Sequence, residues 1–361
     1  MASLFSPLHI KDITLRNRIG VSPMCQYSSV DGAATDWHMV HLGSRAVGGA
    51  GLIICEATAV SPEGRITPHD AGIWKDDHIE PLKRINSFIK EHGGVPAIQL
   101  AHAGRKASAA RPWEGGRHLE NSEGGYDIIA PTAKAFDPEG RLPKAPKKMT
   151  EDDIGRVKQA FVDAAKRSLE AGYDLLELHA AHGYLLHSFF SPLVNDRTDK
   201  YGGPLENRAR MLLETTQAVR EVWPENLPLA VRLSAADWIE GGLAVDDNIQ
   251  MAIWLKELGV DIIDCSSGGA SPASRTSLSG STADQIDLAA KIRIEADVMT
   301  MAVGLITDAV QANDIIASGK ADVALLAREY IRDPYWSFHA ATELGVDTKG
   351  IMSVQNDFWV G

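Results

Sequence analysis

Tyr173-Asp-Leu-Leu-Glu-Leu-His179-Ala-Ala-His182-Gly-Tyr184 is the stretch on which the reading of the chain turns. The short apolar run from Tyr173 to Leu178 reads as a buried strand. It delivers two histidines and a tyrosine just past its carboxyl end. Two imidazoles there can hold one small anionic or carbonyl oxygen, and Tyr184 can give up a proton close by. Chemistry on the loop after a strand is the arrangement of parallel α/β enzymes.

The same unit recurs in both directions along the chain. Strand-like Ile19–Met24 leads to a helix near Asp36–Val47, Leu52–Glu56 to Asp76–His92, and Val95–Leu100 to Glu151–Ala171 with Thr150 as its N-cap. Leu175–Leu178 precedes a helix near Leu205–Val222, Leu229–Leu233 precedes Asp246–Leu258, and Val260–Cys265 precedes Ala283–Glu295. Val298–Val303 and Val323–Leu326 precede Asp308–Ala317 and Pro334–Glu343. Eight strand–helix pairs without an Asn-Gly hairpin signal predict parallel strands, and eight of these close into a barrel. An open doubly wound sheet would want a G-x-G-x-x-G turn after its first strand, and none is present. The expectation is one α/β domain over residues 1–361, a (β/α)8 TIM barrel. Two segments, Ala103–Lys148 and the Ser/Gly-rich Gly268–Ser281, are too long for simple connections and are expected to cap its mouth.

Composition narrows the function. The chain has 361 residues, of which 44% are hydrophobic and 23% charged, with a formal net charge of −12. That balance speaks against a nucleic-acid partner, which would want clustered Lys and Arg. Three cysteines without a C-x-x-C exclude a disulfide framework, a zinc ribbon and a cysteine-ligated cluster. No run approaches the ~20 apolar residues of a membrane span, and the N-terminus lacks a secretory pattern, so a reducing cytoplasm is expected.

The strand ends carry polar residues where the strands themselves are apolar. They deliver Pro23, Met24, Cys25 and Tyr27, then Glu56 and Ala57, then Gln99, His102 and Lys106. The later strands deliver His179 and His182, then Arg232, then Ser266 and Ser267, then Gly304, and last Ala327 and Arg328. The last two strands pair a glycine with an arginine where barrels most often bind phosphate. The rest suits a flat heteroaromatic ring: Gln99 offers a donor and an acceptor to an imide-like edge, and Arg232 a fixed cation for a reduced ring.

These motifs together resemble the Old Yellow Enzyme family of FMN-dependent ene-reductases, in particular its short bacterial, thermophilic-like class that includes the xenobiotic reductases. The resemblance runs through Leu15-Arg-Asn-Arg18, Pro23–Tyr27, Glu56–Arg65, Gln99–Lys106, the histidine motif, Asn195–Gly203, Glu206-Asn-Arg208 and Arg328–Pro334. It implies that Pro23, Met24, Ala57, Gln99 and Arg232 hold the isoalloxazine, with Ser267, Gly304, Ala327 and Arg328 toward the phosphate. Cys25 would sit beside the flavin and tune it, with Tyr27 lining the substrate pocket. His179 and His182 would grip a substrate carbonyl oxygen, and Tyr184 would donate a proton. The implied reaction is a ping-pong reduction of activated C=C bonds, in which NADPH or NADH reduces FMN. Hydride then passes from flavin N5 to the β-carbon of an α,β-unsaturated carbonyl compound, and a proton reaches the α-carbon. Maleimides, quinones and nitro-compounds are further expected substrates, and a homodimer or homotetramer is the expected assembly. The tail lacks the Arg that relatives extend into a neighbouring site, but offers Trp359. Val303 stands where some relatives carry a large aromatic, which implies a roomier pocket.

Simpler readings coexist with these. The histidine pair is spaced for a metal, although no carboxylates or further histidines stand out beside it. Cys25 reads equally as a buried small hydrophobe, Arg232 as one half of an ion pair, and Tyr184 as packing. The rival enzymes are a dienoyl-CoA reductase, which would need an iron–sulfur cluster and further domains, and a metal-dependent barrel hydrolase. A flavin-binding redox sensor using Cys25 is the non-enzymatic rival.

Overall fold

A computed structural model describes residues 2–274 and 282–360. Eight parallel strands close into a barrel in chain order: β1 (Ile19–Val21), β2 (Leu52–Ala59), β3 (Val95–Ala101), β4 (Leu175–Ala180), β5 (Leu229–Ser234), β6 (Ile262–Ser266), β7 (Met299–Val303) and β8 (Val323–Leu326). The helices that return the chain between them are α1 (Asp36–Val47), α2 (Ile79–Glu91), α3 (Glu151–Glu170), α4 (Leu205–Arg220), α5 (Val245–Glu257), α6 (Thr282–Glu295) and α7 (Ala309–Ala317), with α8 (Trp336–Glu343) after β8. The expected TIM barrel is therefore the fold, with strand ends shifted by a few residues. β1 stops at Val21 rather than Met24, and β2 runs on to Ala59 past a register irregularity between Cys55 and Ala57.

Side chains alternate between two cores. Leu52, Ile54, Val95, Ala97, Leu175, Ala230, Ile262, Met301, Val323 and Leu325 pack together inside the barrel, whereas Ile53, Cys55, Ile98, Leu176, Leu178, Val231 and Cys265 pack outward with the helices. Period-two alternation then turns Glu177 and His179, Arg232 and Ser234, and Asp264 and Ser266 inward with their apolar predecessors. Helix α3 shows why the outer ring forms. Thr150 Oγ1 accepts the Asp153 N–H at 3.1 Å and Asp153 accepts the Thr150 N–H at 3.0 Å, a reciprocal cap. Ile154, Val157, Phe161, Ala164 and Ala165 then form its buried stripe.

An antiparallel hairpin, Leu8–Ile10 against Ile13–Leu15, adds Leu8, Ile10, Ile13 and Leu15 to the inner core. No sequence signal announced it, because its turn is made by Lys11 at φ +51° instead of an Asn-Gly pair. The capping segment contains three single 3₁₀ turns and a two-residue parallel pairing, Ile129–Ala130 with Lys147–Lys148. Of the second expected cap, the part through Ser274 is described and residues 275–281 lie outside the described residues. Among the described residues no helix is long and apolar enough to cross a membrane.

Candidate active site

The turn after β4 is held from three sides. His182 adopts φ +60° and Gly183 φ +75°. A Cβ on Gly183 would come within 2.2 Å of the Gly269 carbonyl oxygen, so only glycine lets this turn meet the loop after β6. The His182 N–H donates to Ser234 Oγ at 2.9 Å, and Ser234 donates to the Gly268 carbonyl at 2.7 Å. From the capping segment, Lys106 Nζ donates to the carbonyls of His182 at 2.5 Å and Gly269 at 2.9 Å, and Arg105 donates to that of Ala270. The short helix Leu185–Phe190 follows, and its His187 accepts the Gly183 N–H on Nδ1 at 2.8 Å. On its other nitrogen, His187 Nε2 lies 3.1 Å from Asp237 Oδ1, off the line of an ideal hydrogen bond, and both side chains are fully buried.

The two histidines are brought together. Their rings meet edge to face with centroids 5.1 Å apart, and Tyr184 stands edge to face on His179 at 4.8 Å. His179 Nδ1 accepts the Ala181 N–H at 3.2 Å, which places its proton on Nε2, directed at His182 Nδ1 at 3.4 Å. His182 Nε2 then faces Ser266 Oγ at 2.6 Å as a donor, an assignment drawn from the network. Burial first, then the charge of Arg232, holds both imidazoles well below the usual histidine range. They are neutral N–H donors at physiological pH.

Facing them is the loop after β1. Cys25 and Tyr27 are half-buried, Tyr27 at φ +50°, with the Tyr27 ring edge-on to Trp113 at 5.9 Å. Burial, with Glu56 and Asp70 nearby, pushes the Cys25 thiol up, so it is no thiolate. Glu56 anchors this loop by accepting the Gln26 N–H at 2.8 Å, with His38 3.3 Å from its other oxygen. Ala57, Asp70, Ala101 and Tyr184 border a narrow gap between the loops after β2 and β3 that is too tight to admit a water molecule.

Inside the mouth, Gln99 donates to Glu177 at 2.7 Å, and Arg232 Nε lies 3.1 Å from Asp264. Arg232 is thus no lone cation: the ion-pair reading holds alongside its axial position. Ser267 Oγ is buried and has no hydrogen-bond partner among the described residues. A cavity of about 300 Å³ is bordered by Val303, Gly304, Ala327 and Arg328 at the ends of β7 and β8, with Gly304 at φ +133°. A glycine backbone, an arginine, an unpartnered hydroxyl and a buried amide–arginine floor form a donor set that fits a phosphorylated flat heterocycle. Two larger grooves, near Trp254 and near Ile286, line the outer helices and hold none of these residues. Trp359 stands apart as well. It lies on the terminal helix Val354–Val360, 82% exposed, with Phe358 its ring neighbour. Among the described residues, no group of three or more His, Cys, Asp or Glu is placed to hold a metal ion.

Residues 3–346 match the model of a family described as NADH:flavin oxidoreductase / NADH oxidase. The chain belongs to this family, that of Old Yellow Enzyme. Like other members it is a flavin-dependent oxidoreductase, with FMN as cofactor and NAD(P)H as reductant. It is 48% identical over 344 residues to the NADPH dehydrogenase of Geobacillus sp. (strain WCH70), covering 95% of this chain and 94% of that one. Among solved structures it is similar to the Old Yellow Enzyme homologue from Zymomonas mobilis, with TM-score 0.77, 26% identity and coverage of 97% and 96%. 2-Naphthoyl-CoA reductase superimposes with TM-score 0.84 at 25% identity over 97% of this chain, but the chain spans only 53% of that longer protein.

Sequence reasoning missed His187, Asp237, Ser234 and Asp264 as members of the Old Yellow Enzyme site's surroundings. The period-two pattern counted from Leu175, Ala230 and Ile262 would have turned Ser234 and Asp264 inward. His187 and Asp237 carry no such signal, being far apart in the chain and joined only by the fold.

Proposed function

We propose that this protein is an NAD(P)H-dependent ene-reductase that saturates the activated C=C bond of α,β-unsaturated carbonyl compounds. The observation that carries this reading is the neutral, mutually ordered imidazole pair His179–His182 with Tyr184 against it. Bound FMN would supply the hydride that reduces the β-carbon of the alkene, with NAD(P)H as its source. Pro23, Met24, Ala57, Gln99 and Arg232 would hold the ring, Ser267, Gly304, Ala327 and Arg328 would hold the phosphate end, and Cys25 would border the flavin.

The substrate oxygen takes over the N–H that His182 now gives Ser266 and the N–H that His179 directs at His182. Both donors are fixed before substrate arrives, and they stabilise the enolate-like charge that grows on that oxygen. Tyr184 delivers the proton to the α-carbon, and Tyr27 lines the pocket. Trp359 would contribute to a pocket only across an interface between copies, and a homo-oligomer is part of this proposal. Maleimides, quinones and nitro-compounds, which present similar oxygens, are further substrates.

Anaerobic stopped-flow reoxidation of reduced His182→Ala by cyclohexenone tests the oxygen grip. Loss of one such donor costs on the order of 3 kcal/mol, a fall of ~100-fold in the reoxidation rate. An unchanged rate removes His182 from the mechanism.

A further inference from the structure

Between the histidines and the apolar floor lies a layer of charge enclosed by the barrel. Gln99 on β3, Glu177 on β4, Arg232 on β5 and Asp264 on β6 all point inward from adjacent strands and are all buried. Glu177 Oε1 accepts from Gln99, and Asp264 lies against Arg232. Among the described residues, Glu177 Oε2 and both oxygens of Asp264 lack a well-aligned donor, yet the two carboxyl groups come within hydrogen-bonding reach of each other. Two carboxyl oxygens can approach so closely in a dry interior only with a proton between them. One arginine also cannot neutralise two buried carboxylates.

We propose that Glu177 and Asp264 share a single proton, carried by Glu177, which donates to an ionised Asp264. Asp264 and Arg232 are then a neutral pair, and the layer holds no net charge. Position decides which group carries the proton. Asp264 is next to the cation, whereas Glu177 meets only the neutral Gln99 amide on its other oxygen. Burial raises both carboxyls, Glu177 most, with Asp264 adding to the rise of Glu177 and Arg232 opposing it at both. The other titratable groups nearby are His179, neutral and one inward position above Glu177, and Cys265, whose thiol burial pushes up on the outer side of β6.

The consequence for redox chemistry rests on the reading given under Proposed function, in which Arg232 meets the flavin. Asp264 then tempers the preference of Arg232 for a negatively charged, reduced ring, and Glu177 sustains Asp264 without adding a second negative charge. Glu177 and Asp264 are positioning residues in this sense, acting through Arg232.

Infrared difference spectra of the FMN-loaded protein at pH 9 test the shared proton. Among the described residues, Asp70 is the other buried carboxyl that burial pushes up, to about 7, and it is ionised there. A carboxylic C=O stretch that Glu177→Gln abolishes is the expected result. Its absence from the parent protein overturns the proposal, and this holds even if Asp264→Asn does not fold. Spectroelectrochemical titration tests the consequence. Glu177→Gln keeps a donor on Asp264 and should leave the reduced-over-oxidised preference within about twofold. Asp264→Asn frees Arg232 and should raise it at least tenfold, about 30 mV for two electrons. A Glu177→Gln shift as large as that of Asp264→Asn contradicts the assignment. A protein that takes up no flavin sinks the functional reading and leaves the infrared band to decide the proton.

Discussion

Asp237→Asn should loosen the histidine turn although Asp237 stands outside it. Its Oδ2 accepts the Ser191 hydroxyl at 2.7 Å and the Leu243 N–H at 3.0 Å, and Oδ1 faces His187 Nε2 at 3.1 Å. Asparagine has one oxygen to offer. If it stays with Ser191 and Leu243, the new NH2 group confronts the His187 Nε2–H. Moving the imidazole proton to Nδ1 relieves that clash only by opposing the Gly183 N–H, which now donates there. Either tautomer leaves a buried donor unmatched, and such an orphan costs about 1–3 kcal/mol. The lost charge on a fully buried partner places the total near the upper end, about 3 kcal/mol. The loss falls on Gly183, between His182 and Tyr184, so enone turnover should drop roughly tenfold, the equivalent of about 1.4 kcal/mol. Urea unfolding together with steady-state kinetics on the FMN-loaded variant measures both. Stability and turnover equal to the parent would refute the tautomer conflict. The pH dependence of stability gives a second check. Burial would raise the Asp237 carboxyl, but His187, the Leu243 N–H and the Ser191 hydroxyl outweigh it and hold the group below the ordinary range. A carboxylate held low in the folded state contributes stability above its unfolded pKa, and loses it as pH falls below about 4. The variant should lack that acid-side loss.

Asp70 gives the opposite sign. Burial pushes its carboxyl up to about 7 against the hydrogen bonds from Thr67 and Ile66, so the folded protein binds a proton that the unfolded chain has released. Stability should fall as pH rises from about 4 to 7 and level off above, and Asp70→Asn should flatten that slope in thermal melts. Gly304→Ala forces a side chain onto a backbone at φ +133° and sets its Cβ 3.0 Å from Gln285. Strain of about 1–3 kcal/mol should weaken FMN binding roughly tenfold or more by fluorescence titration, and unchanged affinity would place the phosphate elsewhere.

The barrel was legible because strands buried on both faces read as near-continuous apolar runs between amphipathic helices. Apolarity alone does not show which face is which in such runs, so the inward turn of Glu177 and Asp264 among leucines and isoleucines emerges only by counting in twos from Leu175 and Ile262. The histidine motif was readable because its members are neighbours in sequence. What holds it is not. Ser234, Ser266, His187 and Asp237 come from β5, β6 and the loops after β4 and β5, and only closure of the barrel brings them to one turn. The hairpin at Leu8–Leu15 was hidden by a turn built on lysine. The role of Arg232 looked simpler than it is because Asp264 lies on the next strand, a whole strand–helix unit further along the chain.

The visible spectrum of the purified protein tests the central claim most directly, first alone, then after anaerobic NADPH, then after cyclohexenone. A flavin that bleaches with NADPH and recovers fully on addition of the enone is the result the neutral histidine pair above an FMN site requires. A protein that stays colourless with added FMN, or a bleached flavin that no activated alkene restores, contradicts it.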